Sequence, residues 1–452
     1  MASKIFRDPV HGDMLFSREE VALIDTPQMQ RMRGIKQLGT SSLVYPGAVH
    51  SRFEHSLGTA WLARKMLEAI AQNHISSGRE FPFDSYSEKV IVSAALLHDI
   101  THIPYGHTFE DERRIFERHD KNKQRLSYFL DSKPIRSALM SSGIYYDVFD
   151  ILAGDKEKLS APFHYQIVAG TICADLLDYL KRDAFFCGVA QGYDERIFRY
   201  FSIIDGQFVI ELQKGGLFRH DALSELINLL RIRYTLTERV YYHHAKAVAG
   251  AMISKALELV LENQKIKLED LYELRDDSFL YFLKTKTHNR AVTKLVTAIE
   301  NRQLYKRVYL LTLKQNESKT GITADEQKVL VKKFYYNEDL ARTKAEQEIA
   351  DRLGLAEGSV IIYCPSASMA LKEASVPVKI DDQSPRSLKD FQNAEIKTLT
   401  DKHRYLWRFF VCLDRKYESK FEQVGQICEE VFGHPNMIKL QSQGQLTFEF
   451  KG

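Results

Sequence analysis

VIVSAALLHDI, residues 90–100, runs almost wholly apolar and then ends on an imidazole and a carboxylate, His98 and Asp99. Its length and apolarity predict a buried helix, with Ser85 and Glu88 at the spacing of a capping box at its start. Burying His98 and Asp99 is costly unless they pair or bind a metal. Two readings stay open at this point: a His–Asp hydrogen bond that orders the core, and a pair of metal ligands. The dipeptide recurs as His119-Asp120 and His220-Asp221. Those copies lie among charged residues, where solvated surface is the expectation, so context has to decide.

Working outward, HSRFEHSLG (50–58) places His50, Arg52, Glu54 and His55 at the start of a predicted helix, which makes His55 a candidate ligand. In ADLLDYLKRDAFF (174–186), Asp175, Tyr179 and Asp183 stand at i, i+4 and i+8, so a metal ligand and two polar contacts can share one helical face. An ordinary amphipathic helix would carry the same pattern. Imidazole with carboxylate donors suits a first-row transition metal or a mixed site, whereas calcium calls for oxygen alone. After the His-Asp pair comes ITHIPYGHTFEDE (100–112), where Pro104 ends the helix and His102 and His107 suggest acid/base work beside the metal. Hydrolysis of a phosphoester needs an activated water, charge neutralisation and a proton donor, and Arg52 and His107 suit the last two.

The composition allows this. At 452 residues, 44% apolar and 27% charged, the chain is that of a folded protein large enough to bury a site. Helical periodicity dominates the first 304 residues, in Ser17–Asp25, Met29–Gln37, Leu57–Ile75, Glu88–Ile100, Gln166–Phe186 and Asp221–Glu262, with an Asp205-Gly206 hairpin within Arg199–Glu211. From residue 305 to 452 the pattern changes to strands at Arg307–Lys314, Ser359–Pro365, Tyr405–Leu413 and Ile438–Phe450, with helices Glu338–Leu353 and Glu418–Phe432 between them, and a hairpin in IKLQSQGQLTFEF. The expected fold is mainly α: a helical domain over 1–304 and a smaller α+β lobe over 305–452. A net charge of +3 does not point to nucleic acid. Five cysteines without a CxxC spacing, the absence of an export-type apolar segment after Met1, and no apolar run near the ~18 residues of a membrane span suggest a cytoplasmic protein.

Four segments, IFRDPVHGDMLF, IDTPQMQRMRGIKQLGTSSLVYPGAVHSRFEHSLG, LLHDITHIPYGH and ADLLDYLKRDAFFCG, resemble in content and order those of HD-domain phosphohydrolases, most closely the deoxynucleoside triphosphate triphosphohydrolases. The likeness spans about residues 4–250. It implies an HD-type helical core with metal ligands at His55, His98, Asp99 and Asp175, holding a divalent ion such as Mg, Mn, Fe, Zn or Ni. It also implies that Arg52 meets the α-phosphate, that His102 and His107 border it, and that His119 is a catalytic imidazole despite its charged neighbours. Contacts to the deoxyribose would fall on Gln37, Leu38, Tyr179, Asp183 and Tyr241. Lys4, Asp25, Gln30 and Arg33 match positions that bind an activating guanine nucleotide between subunits of a homo-oligomer, a dimer or tetramer; a salt-bridged surface helix would use the same residues. Four departures stand out: Thr101 where glycine is frequent, Glu110 where the acidic partner of the second histidine is expected as Asp, Thr237 in place of a histidine, and Leu176 in place of a phosphate-binding lysine.

The expected activity is hydrolysis of a deoxynucleoside triphosphate to a deoxynucleoside and inorganic triphosphate. Two alternatives remain: the same metal site acting on another nucleotide phosphoester, and a nucleotide-sensing or nucleic-acid-binding assembly protein with weak catalysis.

Overall fold

A computed structural model describes residues 2–263, 266–315, 320–367, 371–380 and 384–438. The chain opens with a two-stranded antiparallel hairpin, β1 (Lys4–Asp8) and β2 (Gly12–Phe16), which periodicity did not reveal. Short helices α1 (Arg18–Ile24) and α2 (Pro27–Arg31) follow; the helix expected over Met29–Gln37 is cut short, because Met32–Gly34 tightens into a 3₁₀ turn and Ile35 is extended. Helix α3 (Arg52–Ser76), about 38 Å long at 1.5 Å per residue, is the spine. Against it pack α4 (Ser85–Leu97) and, beyond α5 (Lys123–Leu130), α6 (Lys133–Ser141), α7 (Tyr145–Ala153) and α8 (Pro162–Ala169), the site helix α9 (Ala174–Phe186). The cap of α4 is Asp84, whose carboxylate accepts from Ser87 N at 2.8 Å, rather than the Ser85/Glu88 box that the spacing suggested. Gln166–Phe186, read as one helix, is two, parted at Gly170–Cys173.

The Asp205-Gly206 turn joins β3 (Phe201–Ile204) to β4 (Gln207–Glu211), and both turn residues have positive φ, as a tight hairpin requires. After the two-residue strands β5 (Gln213–Lys214) and β6 (Leu217–Phe218), the long helical stretch from Asp221 is split by a π turn at Thr237–Tyr241 into α10 (His220–Leu236) and α11 (His244–Asn263). Helices α12 (Asp276–Lys286) and α13 (Arg290–Glu300) complete the helical body.

The remainder alternates strand and helix: β7 (Lys306–Thr312), α14 (Ala324–Leu330), α15 (Ala341–Asp351), β8 (Val360–Tyr363), β9 (Pro377–Lys379), β10 (Arg386–Ser387), α16 (Ala394–Arg404), β11 (Arg408–Leu413) and α17 (Phe421–Phe432). Strand β11 lies antiparallel between β7 and β8, over a second core that includes Trp407, Phe409, Phe334 and Phe432. The mainly α body with an α+β C-terminal part matches the expectation. Strand β9 returns to pair in parallel with β4, so this part of the chain also extends the sheet of the helical body. The hairpin expected within Ile438–Phe450 lies outside the described residues apart from Ile438.

A buried ionic cluster ties the two parts together. Glu346 of α15 receives Arg113 Nη1 at 2.7 Å, Lys255 Nζ at 2.9 Å and the backbone N of Ile362 at 2.8 Å, while Glu258 of α11 binds Arg113 and, at 2.9 Å, Arg342. Glu346→Ala should therefore strand buried cations and cost about 3–5 kcal/mol, with Glu346→Gln less damaging. Urea denaturation checks this: an unfolding midpoint equal to wild type for Glu346→Ala would contradict it.

Candidate metal centre and active site

The start of α3 is built by its cap. Ser51 Oγ accepts from Glu54 N, and Glu54 returns its carboxylate to Ser51 N at 2.5 Å, so Glu54 is spent on the helix start rather than on chemistry. The same first turn points Arg52 and His55 inward, both buried. Across from it, the apolar run of α4 ends at His98, whose ring donates Nδ1–H to Ala95 O at 2.8 Å and leaves Nε2 free. Asp175 comes from the first turn of α9.

These four side chains meet. His55 Nε2 and His98 Nε2 are 3.2 Å apart, and Asp175 Oδ1 lies 3.0 Å from the first and 3.6 Å from the second. Asp99 presents Oδ1 at 3.5 Å from His98 Nε2 and Oδ2 at 3.8 Å from His55 Nε2. Separations of roughly 3–3.5 Å are those of neighbouring ligands on a cation whose bonds are about 2.0–2.2 Å long. Two imidazole nitrogens turned on each other beside two carboxylates repel unless a positive charge sits among them. The electrostatics point the same way: burial works against a charged His55 ring, yet Asp175, Asp178 and Asp99 outweigh burial and raise it to about 10, so positive charge is favoured here. The donor set therefore fits a divalent cation.

Arg52 Nη1 donates to Asp99 Oδ2 at 2.5 Å. Burial alone would raise the Asp99 carboxyl, but Arg52 and the imidazoles of His98 and His102 hold it well below the usual range. Gly106 makes room for the guanidinium: its φ is +55°, and a Cβ there would fall 2.5 Å from Arg52 Nη2.

Beyond Asp99 stands a second imidazole cluster. The rings of His102 and His119 lie with centroids 3.8 Å apart, tilted by 30°, and His107 lies 4.8 Å and 5.0 Å from them. Glu110 organises it. Its Oε2 accepts Nδ1–H from both His107 and His119 at 3.1 Å, while Oε1 takes His119 N at 2.8 Å and Arg125 Nη1 at 3.4 Å, leaving both Nε2 atoms turned away from the carboxylate. Burial lowers the His119 ring, and Glu110 more than restores it. His102 is fully buried, and burial together with Arg52 and His119 keeps it neutral, well below its ordinary value. The surface reading of His119 from its neighbours fails: Arg118 and Asp120 pair with each other at 3.0 Å and leave the His119 ring inside, 12% exposed. His220 and Asp221 are exposed, as expected.

At the other end of α9, Asp183 accepts Tyr241 Oη at 2.6 Å and His50 Nε2 at 2.9 Å. Arg233 lies over the rings of Tyr179 and Tyr241, at 5.2 Å and 5.1 Å. Gln37 and Leu38 are half-buried, Gln37 O faces Arg52 Nη2 at 3.4 Å, and Gln37 Oε1 is buried without a hydrogen-bond partner among the described residues. Lys4, Asp25, Gln30 and Arg33 lie elsewhere, on the hairpin and α1–α2 edge. There Lys4 Nζ meets Asp25 at 2.6 Å, Arg33 Nε donates to Gln30 Oε1 at 2.8 Å, and the Arg33 guanidinium stacks 3.7 Å over Phe53.

Sequence reasoning missed Arg233, in the last turn of α10, and the pair His11 and Asp178. Asp178 and Arg182 were visible as an i, i+4 pair, but nothing local marked them as buried.

Comparison with known proteins gives the family. The HD domain family model matches residues 52–181, and the HD associated region matches residues 194–442. An uncharacterised protein of Methanocaldococcus jannaschii is 30% identical over 310 residues, 67% of this chain and 59% of its own length. A protein of Dictyostelium discoideum described as a deoxynucleoside triphosphate triphosphohydrolase SAMHD1 homologue is 31% identical over 68% of this chain and 60% of its own length. The chain thus spans about 60% of these relatives. The crystal structure of a phosphohydrolase from Bacteroides thetaiotaomicron shares the fold with a TM-score of 0.66 and 23% identity, covering 91% of this chain and all of that one. With His55, His98 and Asp175 gathered where the HD model falls, Asp99 beside them, and the HD associated region following over residues 194–442, the chain belongs to the HD-domain phosphohydrolase family.

Proposed function

We propose that this protein hydrolyses deoxynucleoside triphosphates at the α-phosphate, releasing a deoxynucleoside and inorganic triphosphate. The observation that carries the reading is the layout of α9: Asp175 belongs to the metal cluster, and Tyr179 and Asp183 follow on the same face, so a phosphate at the first sets a sugar against the next two. The Dictyostelium relative's description supports the same substrate class.

A divalent cation held by His55, His98, Asp99 and Asp175 would supply Lewis-acid charge and a more acidic water. The protein's own groups do the rest. Arg52, fixed on Asp99, neutralises charge growing on the α-phosphate oxygens. Water adds to phosphorus, the bond to the sugar O5′ breaks, and His107 or His119, both braced by Glu110, passes a proton to the departing oxygen. Tyr241 and His50 fix the Asp183 carboxylate for the 3′-hydroxyl, while Leu38 and Tyr179 crowd a 2′-hydroxyl. Leu176 is buried, so no lysine reaches the triphosphate there; Arg233, over Tyr179 and Tyr241, is the cation best placed to take that part.

A substrate panel with product identification tests this. Deoxynucleoside triphosphates should yield only deoxynucleoside and triphosphate. Losing the 3′-hydroxyl should cost about 1–3 kcal/mol, a factor of roughly 5–150, because its buried partner is left unpaired. Asp99→Ala and Asp175→Ala should lose more than the 10- to 100-fold typical of outer-shell partners. Release of orthophosphate or diphosphate, or equal rates on deoxy-, ribo- and 2′,3′-dideoxynucleotides, would favour another phosphoester substrate. Near-wild-type turnover by either Asp variant would overturn the site assignment.

Lys4, Asp25, Gln30 and Arg33 make a coherent proposed regulatory site, where an anionic ligand would compete with Asp25 for Lys4 and recruit Arg33 from Phe53. Guanine nucleotide should then shift the chain toward a larger oligomer and remove a kinetic lag, an effect lost in Asp25→Ala and Arg33→Ala. Hyperbolic kinetics from an unchanging oligomer, with or without guanine nucleotide, would rule this regulation out.

A further inference from the structure

We propose that the N-terminal hairpin is a working part of the metal centre: through His11 and Asp8 it holds Asp178, and Asp178 holds the His55 ring with Nε2 turned to the cation. This rests on the reading of His55 as a metal ligand. It adds three positioning residues, none of which touches the reacting atoms.

The chain of contacts is short and dry. Asp178 is fully buried on α9, one turn beyond Asp175. Its Oδ2 accepts His55 Nδ1–H at 2.7 Å, and its Oδ1 accepts His11 Nε2–H at 2.6 Å, across 167 residues of sequence. Arg182 grips both oxygens from one helical turn away, Nε to Oδ2 at 2.8 Å and Nη2 to Oδ1 at 3.0 Å. The same guanidinium donates from Nη1 to Asp8 Oδ2 at 2.8 Å, while Asp8 Oδ1 accepts the backbone N–H groups of Val10 and His11 at 2.9 Å each, and so sets the turn that delivers His11.

Because a carboxylate only accepts, its bond to Nδ1 keeps a proton there and makes Nε2, which faces His98 and Asp175, the atom a cation would take. Arg182 faces both Asp178 oxygens and balances their charge. The packing leaves no slack. A Cβ on Gly58 would sit 1.9 Å from Asp178 Oδ1 and 2.5 Å from Arg182 Nη2, so α3 and α9 approach closely enough for the His55–Asp178 bond only over a glycine.

A two-stranded hairpin has little stability of its own, so this one is held by what it docks on: Met14 and Phe16 in the core, and His11 and Asp8 on the Asp178–Arg182 pair. Metal affinity and hairpin docking are then linked, and each should strengthen the other.

The test is metal affinity, measured on the full-length, nucleotide-free protein by chelator competition with Mn²⁺, alongside amide hydrogen exchange over residues 4–16 with and without the metal. His11→Ala should bind Mn²⁺ about 10-fold more weakly. Asp178→Asn should lose up to about 100-fold, because an amide can offer N–H to the ring and reverse its tautomer. His11→Gln should recover most of the affinity, since its amide N–H can donate to Asp178. Metal should slow exchange in the wild-type hairpin and not in His11→Ala. Variants with lowered thermal midpoints but wild-type Mn²⁺ affinity would show a merely structural role and overturn the proposal. A wild-type chain that binds no metal would overturn the metal reading together with it, whereas tight wild-type binding unaltered in Asp178→Asn would overturn this inference alone.

Discussion

His55 and His98 turn ring nitrogens toward each other across 3.2 Å, with the carboxylates of buried Asp99 and half-buried Asp175 beside them. Such a set cannot be left alone in a protein interior; it calls for a cation, and its surroundings are arranged to supply or steady one. Arg52 offsets Asp99 from one side. Arg182 and His11 engage Asp178 from the other. The capping box at Ser51, the end of α4 at His98 and the first turn of α9 at Asp175 fix the geometry with backbone rather than with flexible side chains. Even the glycines follow from it, since Gly58 and Gly106 stand where a methyl group would push Asp178 or Arg52 out of place.

The centre was legible in sequence because burial of charge is itself a signal. The run from Val90 to Leu97 announces a helix with no wet face, so the His98 and Asp99 that end it stand out. Where the signal was a contrast with near neighbours, reading failed. His119 looked solvated because Arg118 and Asp120 are charged, yet those two satisfy each other and free the ring to turn inward. Nothing in the sequence singles out Asp178, because a helical wheel gives a direction and cannot say that His11 lies opposite.

The hairpin escaped notice for a related reason. Strict alternation marks a strand with one buried face, but Ile5 and Leu15 are 66% and 52% exposed while Met14 and Phe16 are buried, so apolar residues fall on both faces and blur the period. Long helical stretches break at Gly170–Cys173, where Gly170 closes α8 and Cys173 caps α9, and at the π turn over Thr237–Tyr241, neither break marked by a proline. The second of these breaks is useful: it sets Tyr241 against Asp183, which an uninterrupted helix would not guarantee.

The most direct measurement is anomalous diffraction from crystals of catalytically active protein, collected at the absorption edge of the metal found by elemental analysis. One cation bonded at about 2.0–2.3 Å to His55 Nε2, His98 Nε2, Asp99 and Asp175 is the expected result. Fully active protein with no cation among those four side chains would contradict the reading of this site as a metal centre.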